Sequence, residues 1–363
     1  MKKKILIALV IIPVVLFIVV EIGLRLVAPA ADFPVVERRF QNDLPGLERE
    51  VSWKTDEHGL RGEIAGDGPL VLFLGGENTA HFLQEDGNTW WGRAASDLEA
   101  RGLDIRAVAG VGGGQAASWW LGWMRGPGAA VDPDVVVLSV GVGEVLSRPS
   151  GYVFREGVLQ AVHPTGPTGL RGALVRVSQI AAHMRLSRAR KAAAAGSALG
   201  AEPDREAVAL RDLAERRAEM PVVSEIPWTD DPGDELIATL RAFVSMAGDR
   251  GFEFVVAFEP WAHSMHEDLD EALSDRFRSM AVVEVEGRRL AVRHDPAWVD
   301  NRMRYLHMRV SATCDGLEIP LIDGAAEEPP ASAFFDDFLF TDEGAAAYGR
   351  KVAGRLSELL APR

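Results

Sequence analysis

Glu77, Asn78 and Thr79 follow an apolar run and two glycines, in the stretch Pro69-Leu-Val-Leu-Phe-Leu-Gly-Gly-Glu-Asn-Thr79. A second carboxylate, Glu144, follows a similar run that ends in Gly141-Val142-Gly143. Asp336 and Asp337 stand near the chain's end. Carboxylates at neighbouring strand ends can share a proton, hold a cation such as calcium, or act as the acid and nucleophile of a glycosidase. The plainer reading is that Glu77 sits at a helix amino terminus, where a carboxylate is favoured by about 0.3–1 kcal/mol. On that reading no metal or cofactor is expected, and Glu77 with Glu144 is only a candidate cluster. His81, His263 and His266 are imidazoles able to accept a proton. Asn78, Thr79, His81, Glu144, Trp261 and His263 are the expected lining of a ligand cleft at these strand ends. No serine lies in a strand–turn–helix elbow: Ser139 falls inside a strand and Ser118 inside a helix.

The elements that position these groups alternate in type. Leu70–Leu74 is a continuous apolar run of the kind found in a parallel strand buried on both faces. Gly75-Gly76 permits a sharp turn. Further strands are expected over 105–108, 134–141, 252–259 and 318–323. Helices are expected over 90–100 (with Thr89 as its cap), across Trp119, Trp120 and Trp123, over 234–249, 301–313 and 345–360. The three tryptophans are read as core rather than as a sugar platform. The alternation predicts a parallel sheet with right-handed crossovers. An order of 2-1-3-4-5 places Glu77 and Glu144 on adjacent strands at one rim.

These blocks resemble the SGNH/GDSL hydrolase family. Phe73, Leu74, Gly75 and Thr79 match its first block, F-L-G-D-S-x-T. The family's aspartate falls on Gly76 and its nucleophilic serine on Glu77. Gly110 and Gly113 match N-x-G-x-x-G, whose glycine amide helps form the oxyanion hole; the asparagine falls on Val108, or on Ala109 if the register slips by one. Gly141 matches G-x-N-D, with Gly143 at the oxyanion asparagine and Glu144 at the aspartate. Asp336 and Gly344 match D-x-x-H-L-x-x-x-G, but the catalytic histidine falls on Leu339. Asp56-Glu57-His58-Gly59-Leu60-Arg61 is similar to the D-x-x-G-x-R stretch upstream of the first strand in membrane-anchored members; the residues alone say only that this is a polar turn. The resemblance implies an esterase frame whose nucleophile, base and side-chain oxyanion donors are replaced. Loss of one triad member alone costs on the order of a million-fold in turnover.

Composition narrows the class. The chain has 363 residues, 47% hydrophobic and 25% charged, ordinary for a folded protein. A net charge of −14 argues against nucleic-acid binding, which needs a basic face. One cysteine, Cys314, excludes an intramolecular disulfide. Lys2-Lys3-Lys4 precedes an apolar run from Ile5 to Val20, followed by Glu21 and Arg25; as one helix, 5–27 is long enough for a hydrocarbon core of about 30 Å. A cleaved signal peptide is the rival, since Ala28-Pro29-Ala30 is a weak cleavage site.

The expected architecture is therefore α/β, three-layered α/β/α, with a five-stranded parallel sheet in flavodoxin-like order. One amino-terminal transmembrane helix (1–30) and a juxtamembrane spacer (31–68) precede it. The SGNH-hydrolase-like domain covers 69–363, with a helical insertion at about 150–232 whose Arg185, Arg188, Arg190 and Lys191 read as a solvated helix face. The expected protein is a single-pass envelope protein with its amino terminus in the cytoplasm. It is a non-catalytic relative that binds a glycan or acyl ligand or scaffolds envelope polysaccharide assembly. The alternative is an active esterase or acyltransferase with relocated groups. A third reading is an interaction protein whose cleft is filled by its own side chains.

Overall fold

The computed structural model describes residues 37–42, 46–110, 116–146, 152–155, 158–161, 222–223, 232–262, 280–285, 288–326, 330–336 and 339–361. The chain divides into two compact units. The larger comprises Arg38–Lys54, Leu60–Pro164 and Ala201–Arg363. The smaller comprises Met1–Glu37, Thr55–Gly59 and Thr165–Gly200. Of the smaller unit only Glu37 and 55–59 are described. There the Asp56 carboxylate accepts the His58 N–H at 2.9 Å, and Gly59 closes the turn at φ +79°.

In chain order the strands are β1 (Glu37–Asn42), β2 (Arg49–Lys54), β3 (Leu60–Gly62), β4 (Leu70–Leu74), β5 (Arg106–Gly110), β6 (Val135–Val140), β7 (Tyr152–Arg155), β8 (Val158–Ala161), β9 (Val222–Val223), β10 (Glu253–Phe258), β11 (Met280–Val285), β12 (Arg288–His294) and β13 (Leu321–Asp323). The helices are α1 (Glu77–Ala80), α2 (Trp90–Ala100), α3 (Ala117–Arg125), α4 (Val142–Leu146), α5 (Pro232–Arg250), α6 (Pro296–Leu317) and α7 (Asp342–Leu360).

The central sheet runs β13-β10-β6-β4-β5-β3. Its first five members are parallel, and counted along the chain their order is 2-1-3-4-5, as expected. The sheet is larger than expected by one strand, because β3 pairs antiparallel with β5. That strand comes from the stretch read as a spacer, which also contributes the β1–β2 ribbon. The signal there is short but physical: in β2 Val51 and Trp53 are buried while Glu50, Ser52 and Lys54 are exposed, the period-two pattern of a half-buried strand.

A second sheet, in the order β8-β7-β11-β12-β9, draws strands from both ends of the stretch read as a helical insertion. The remainder of that stretch, including its arginine cluster, lies outside the described residues. So does the segment 5–27 read as a membrane span. Among the described residues no helix is long and apolar enough to cross a membrane.

The parallel strands are buried throughout β4 and β6, as continuous apolar runs require. On one face α2 and α7 pack over Val71, Phe73, Val135, Val137 and Val255. Trp90 lies edge-on to Phe73 at 5.3 Å and against Tyr348 at 5.3 Å. Burying aromatic side chains of this size contributes about 1.5–3 kcal/mol each. Thr89 caps α2 by accepting the Gly92 N–H at 3.1 Å. Thr341 caps α7, whose first turn carries Asp342 and Glu343.

Candidate functional site

All the motif blocks with described residues reach the carboxyl edge of the central sheet or the turn before α7. Glu77 opens α1 directly beyond β4, Gly110 ends β5, and Gly143 and Glu144 lie on α4 beyond β6. Asp336 and Leu339 lie in the turn that leads into α7. Gly113, His263, His266 and Asp337 lie outside the described residues.

The sheet order and the placement of the blocks at its carboxyl edge agree with what the resemblance to the SGNH/GDSL hydrolases implies. Among solved structures, a catalytic mutant of an acetylxylan esterase from Geobacillus stearothermophilus aligns at TM-score 0.41 and 12% identity, over 83% of this chain and 98% of that one. An α/β hydrolase from the metagenome of Lake Arreo, Spain, aligns at 0.40 and 10%, over 82% and 98%. A GDSL-like lipase from Bacteroides thetaiotaomicron VPI-5482 aligns at 0.36 and 11%, over 80% and 87%. TM-scores near 0.4 carry no inference about activity or ligand. No family model and no curated protein matches the chain.

The groups expected to line a cleft are mostly interior. Asn78, Thr79 and His81 are buried to 1%, 0% and 1% exposure, and Trp261 to 3%. Asn78 accepts the Phe340 N–H at 3.1 Å and donates to the Glu259 carboxyl at 3.3 Å. His81 donates from Nε2 to the Phe340 carbonyl at 2.8 Å, so that nitrogen carries a proton. The Phe340 main chain is thus clamped in both directions by α1 and the residue that follows it. Trp261 donates to Asp300 at 2.9 Å and packs against Phe258. The inward-pointing groups of α1 are used to join elements, not to face solvent.

The catalytic positions of the family read as follows. Glu77 is half-buried in the first turn of α1. Leu339 is buried, and its N–H is accepted by Asp336 at 2.6 Å. The acid that would orient a catalytic imidazole instead closes a turn around an apolar residue. Gly110 is not an open oxyanion donor loop but the end of β5, packed against Trp120; a β-carbon there would lie 2.2 Å from the indole. Trp120 itself donates to the Gly75 carbonyl at 2.8 Å. Trp120 and Trp123 are buried, which is the core reading of these tryptophans. Gly143 is half-buried and supplies no side-chain donor.

Glu144 has a different partner from the one a carboxylate cluster requires. Its Oε1 accepts the Ala117 N–H at 2.6 Å and so caps α3, whose own preceding residue, Ala116, has no side-chain acceptor. Among the described residues no group of three or more His, Cys, Asp or Glu side chains can hold a metal ion.

Two residues that carry the site have no expectation attached to their side chains in the sequence. Arg61 is fully buried. Its guanidinium donates to the carbonyls of Ala80 (2.5 Å), His81 (3.1 Å) and Gln84 (2.7 Å), and to the Asp86 carboxylate (2.7 Å). It also lies over the Trp53 ring, 5.0 Å from its centroid. Burial pushes the Arg61 pKa down, while Asp86 pulls it back up. Four acceptors on one fork offset the loss of water that makes a buried charge unfavourable. The conformation they hold is strained: His81 has φ +28°, unusual for a residue with a β-carbon.

Glu259, just beyond β10, is the second. Its carboxyl accepts from Asn78 and pairs closely with the Ser139 hydroxyl. Burial pushes its pKa up, and the two hydrogen bonds oppose that shift. Gly141 leaves the room: a β-carbon there would lie 2.4 Å from Glu259 Oε2. The sequence signal was a glutamate closing the apolar run 254–258.

Proposed function

We propose that this chain is a non-hydrolytic relative of the SGNH/GDSL hydrolases, acting as a binding or scaffolding protein of the cell envelope. The observation that carries the reading is the pairing of a buried Leu339 at the base position with a half-buried Glu77 at the nucleophile position of the family's blocks. A leucine cannot accept a proton, and a carboxylate there does not give the activated hydroxyl that acyl transfer needs. The clamping of Asn78 and His81 onto Phe340 further supports a site whose polar groups serve architecture. Anchorage by residues 5–27, with the amino terminus in the cytoplasm, rests on the apolar run and Lys2-Lys3-Lys4. A glycan or acyl-bearing ligand is the partner class that the resemblance to the SGNH/GDSL hydrolases implies, and the net charge disfavours nucleic acid.

The second reading is an esterase or acyltransferase with relocated groups. One observation favours it: Ser139 has a carboxyl partner, Glu259, within hydrogen-bond reach. The hydroxyl is nonetheless buried, its residue 3% exposed. Assay with short p-nitrophenyl esters, alongside a fluorophosphonate label, separates the two. Absence of turnover and label is expected. Turnover with label on Ser139 would establish the second reading and end the first.

A further inference from the structure

We infer that Glu259 is a positioning residue that works as a neutral acid: its carboxyl, bonded to Ser139 and Asn78 and with no cation paired to it among the described residues, holds Asn78 on Phe340 and fixes residues 77–81 at the sheet edge. The inference does not depend on whether the cleft binds a ligand.

The geometry supports it in three ways. First, the inventory of partners is short. One carboxyl oxygen meets the Ser139 hydroxyl and the other meets the Asn78 side-chain amide. An ionised carboxylate has about four lone-pair sites to satisfy. Here it would find two neutral donors, within a residue that is 5% exposed. A protonated carboxyl needs less: it donates to the Ser139 oxygen and accepts from Asn78.

Second, among the described residues no cation is paired with it: the nearest imidazole on α6, His307, packs on Phe258 and is paired with Asp323 at 3.0 Å. Ser139 faces it from β6 and Asn78 from α1. From α7 the titratable group is Tyr348, a phenol whose pKa burial drives well up, so that it is neutral and brings no positive charge. Asp323, at the end of β13, acts on Tyr348 in the same direction. His81, the imidazole nearest in sequence to Asn78, is bonded to Phe340 instead. Burial with no opposing cation raises a carboxyl's pKa, in keeping with the direction found for Glu259.

Third, the bond leads somewhere. Asn78 joins Glu259, 181 residues away, to the Phe340 N–H, 262 residues away. The site helix, the end of β10 and the closing turn therefore meet on one amide. Gly141 and Gly75 keep the space clear: a β-carbon on Gly75 would lie 2.7 Å from the Ser139 β-carbon.

The sign follows from linkage. The folded state holds the proton more tightly than the unfolded chain, whose glutamate titrates near about 4.3. The contribution of this group to stability is therefore greatest below that value and falls as pH rises towards the raised folded value. The test uses the full chain and its Glu259→Gln variant. Unfolding midpoints are followed from about pH 5 to about pH 9, with hydrogen exchange at residues 78–81 and Phe340. The wild type should lose several degrees across this range and lose protection at those amides. The variant, which keeps a neutral group of the same shape, should lack that loss. Equal pH profiles in the two proteins would overturn the inference. If the variant does not fold, the infrared carbonyl band of a protonated carboxylic acid decides in the wild type. Its presence at neutral pH and disappearance at alkaline pH support the inference; its absence at neutral pH overturns it.

Discussion

The Arg61 guanidinium donates to the Ala80 carbonyl at 2.5 Å and so ties β3, at the edge of the sheet, to the end of α1. With His81, Gln84 and Asp86 also on the same side chain, Arg61 holds the whole segment that follows the nucleophile position. Replacing Arg61 with Ala should destabilise the fold by about 3–5 kcal/mol, because it removes the guanidinium donor from the carbonyls of Ala80, His81 and Gln84, at about 1–3 kcal/mol for each buried acceptor left unsatisfied. Lysine should rescue little, because a single ammonium cannot reproduce the fork. Urea unfolding measures the loss, and limited proteolysis should cut first near residues 80–86.

Two glycines in α7 should respond with opposite sign to the same substitution. At Gly349 a β-carbon would lie 2.6 Å from the Trp90 carbonyl, where α7 meets α2. At Gly354 nothing lies within 4 Å. Alanine in a helix interior is favoured over glycine by roughly 0.5–1 kcal/mol. Gly354→Ala should gain about that much, whereas Gly349→Ala should lose about 1–3 kcal/mol through overpacking. A pair of denaturation curves distinguishes them.

Restoring the family's serine should not restore its chemistry. Glu77→Ser places a hydroxyl at the nucleophile position but leaves Leu339, buried, where a base is needed. Absence of a triad member costs on the order of a million-fold. The variant should show no p-nitrophenyl acetate turnover above the parent and no fluorophosphonate label. Measurable turnover would mean that another imidazole reaches position 77.

Acid stability should depend on His294. It is buried against Trp298, their ring centroids 5.3 Å apart, and burial holds its pKa down to about 4. The unfolded chain protonates it near about 6.5. Between these values the unfolded state binds the extra proton, so stability falls as pH drops from about 6.5 to about 4. The loss attached to this group is about 3 kcal/mol. His294→Phe should flatten that acid limb in a pH series of unfolding midpoints, leaving the opposite, alkaline-side loss expected from Glu259.

Much of the architecture was legible because its signals are local. The apolar runs at 70–74 and 135–140 are strands buried on both faces, and Thr89 caps α2 as its hydroxyl and position require. The edge elements were harder. β3 is three residues long, and β1 and β2 sit in a charged stretch where alternation is easily missed. At the site, Glu77, Glu144, Asp336 and Leu339 were identified by their positions in the blocks. Their partners were not, because Glu144 caps a helix 27 residues upstream and Asn78 bonds a main chain 262 residues downstream.

By itself the sequence determined the strand–helix alternation, the glycine turns and the chemical types at the nucleophile and base positions, since each depends on residues adjacent along the chain. Only the tertiary structure decided that Arg61 and Glu259 organise the site. Parallel crossovers bring together side chains far apart in sequence, and burial then shifts the pKa of each, down for Arg61 and up for Glu259.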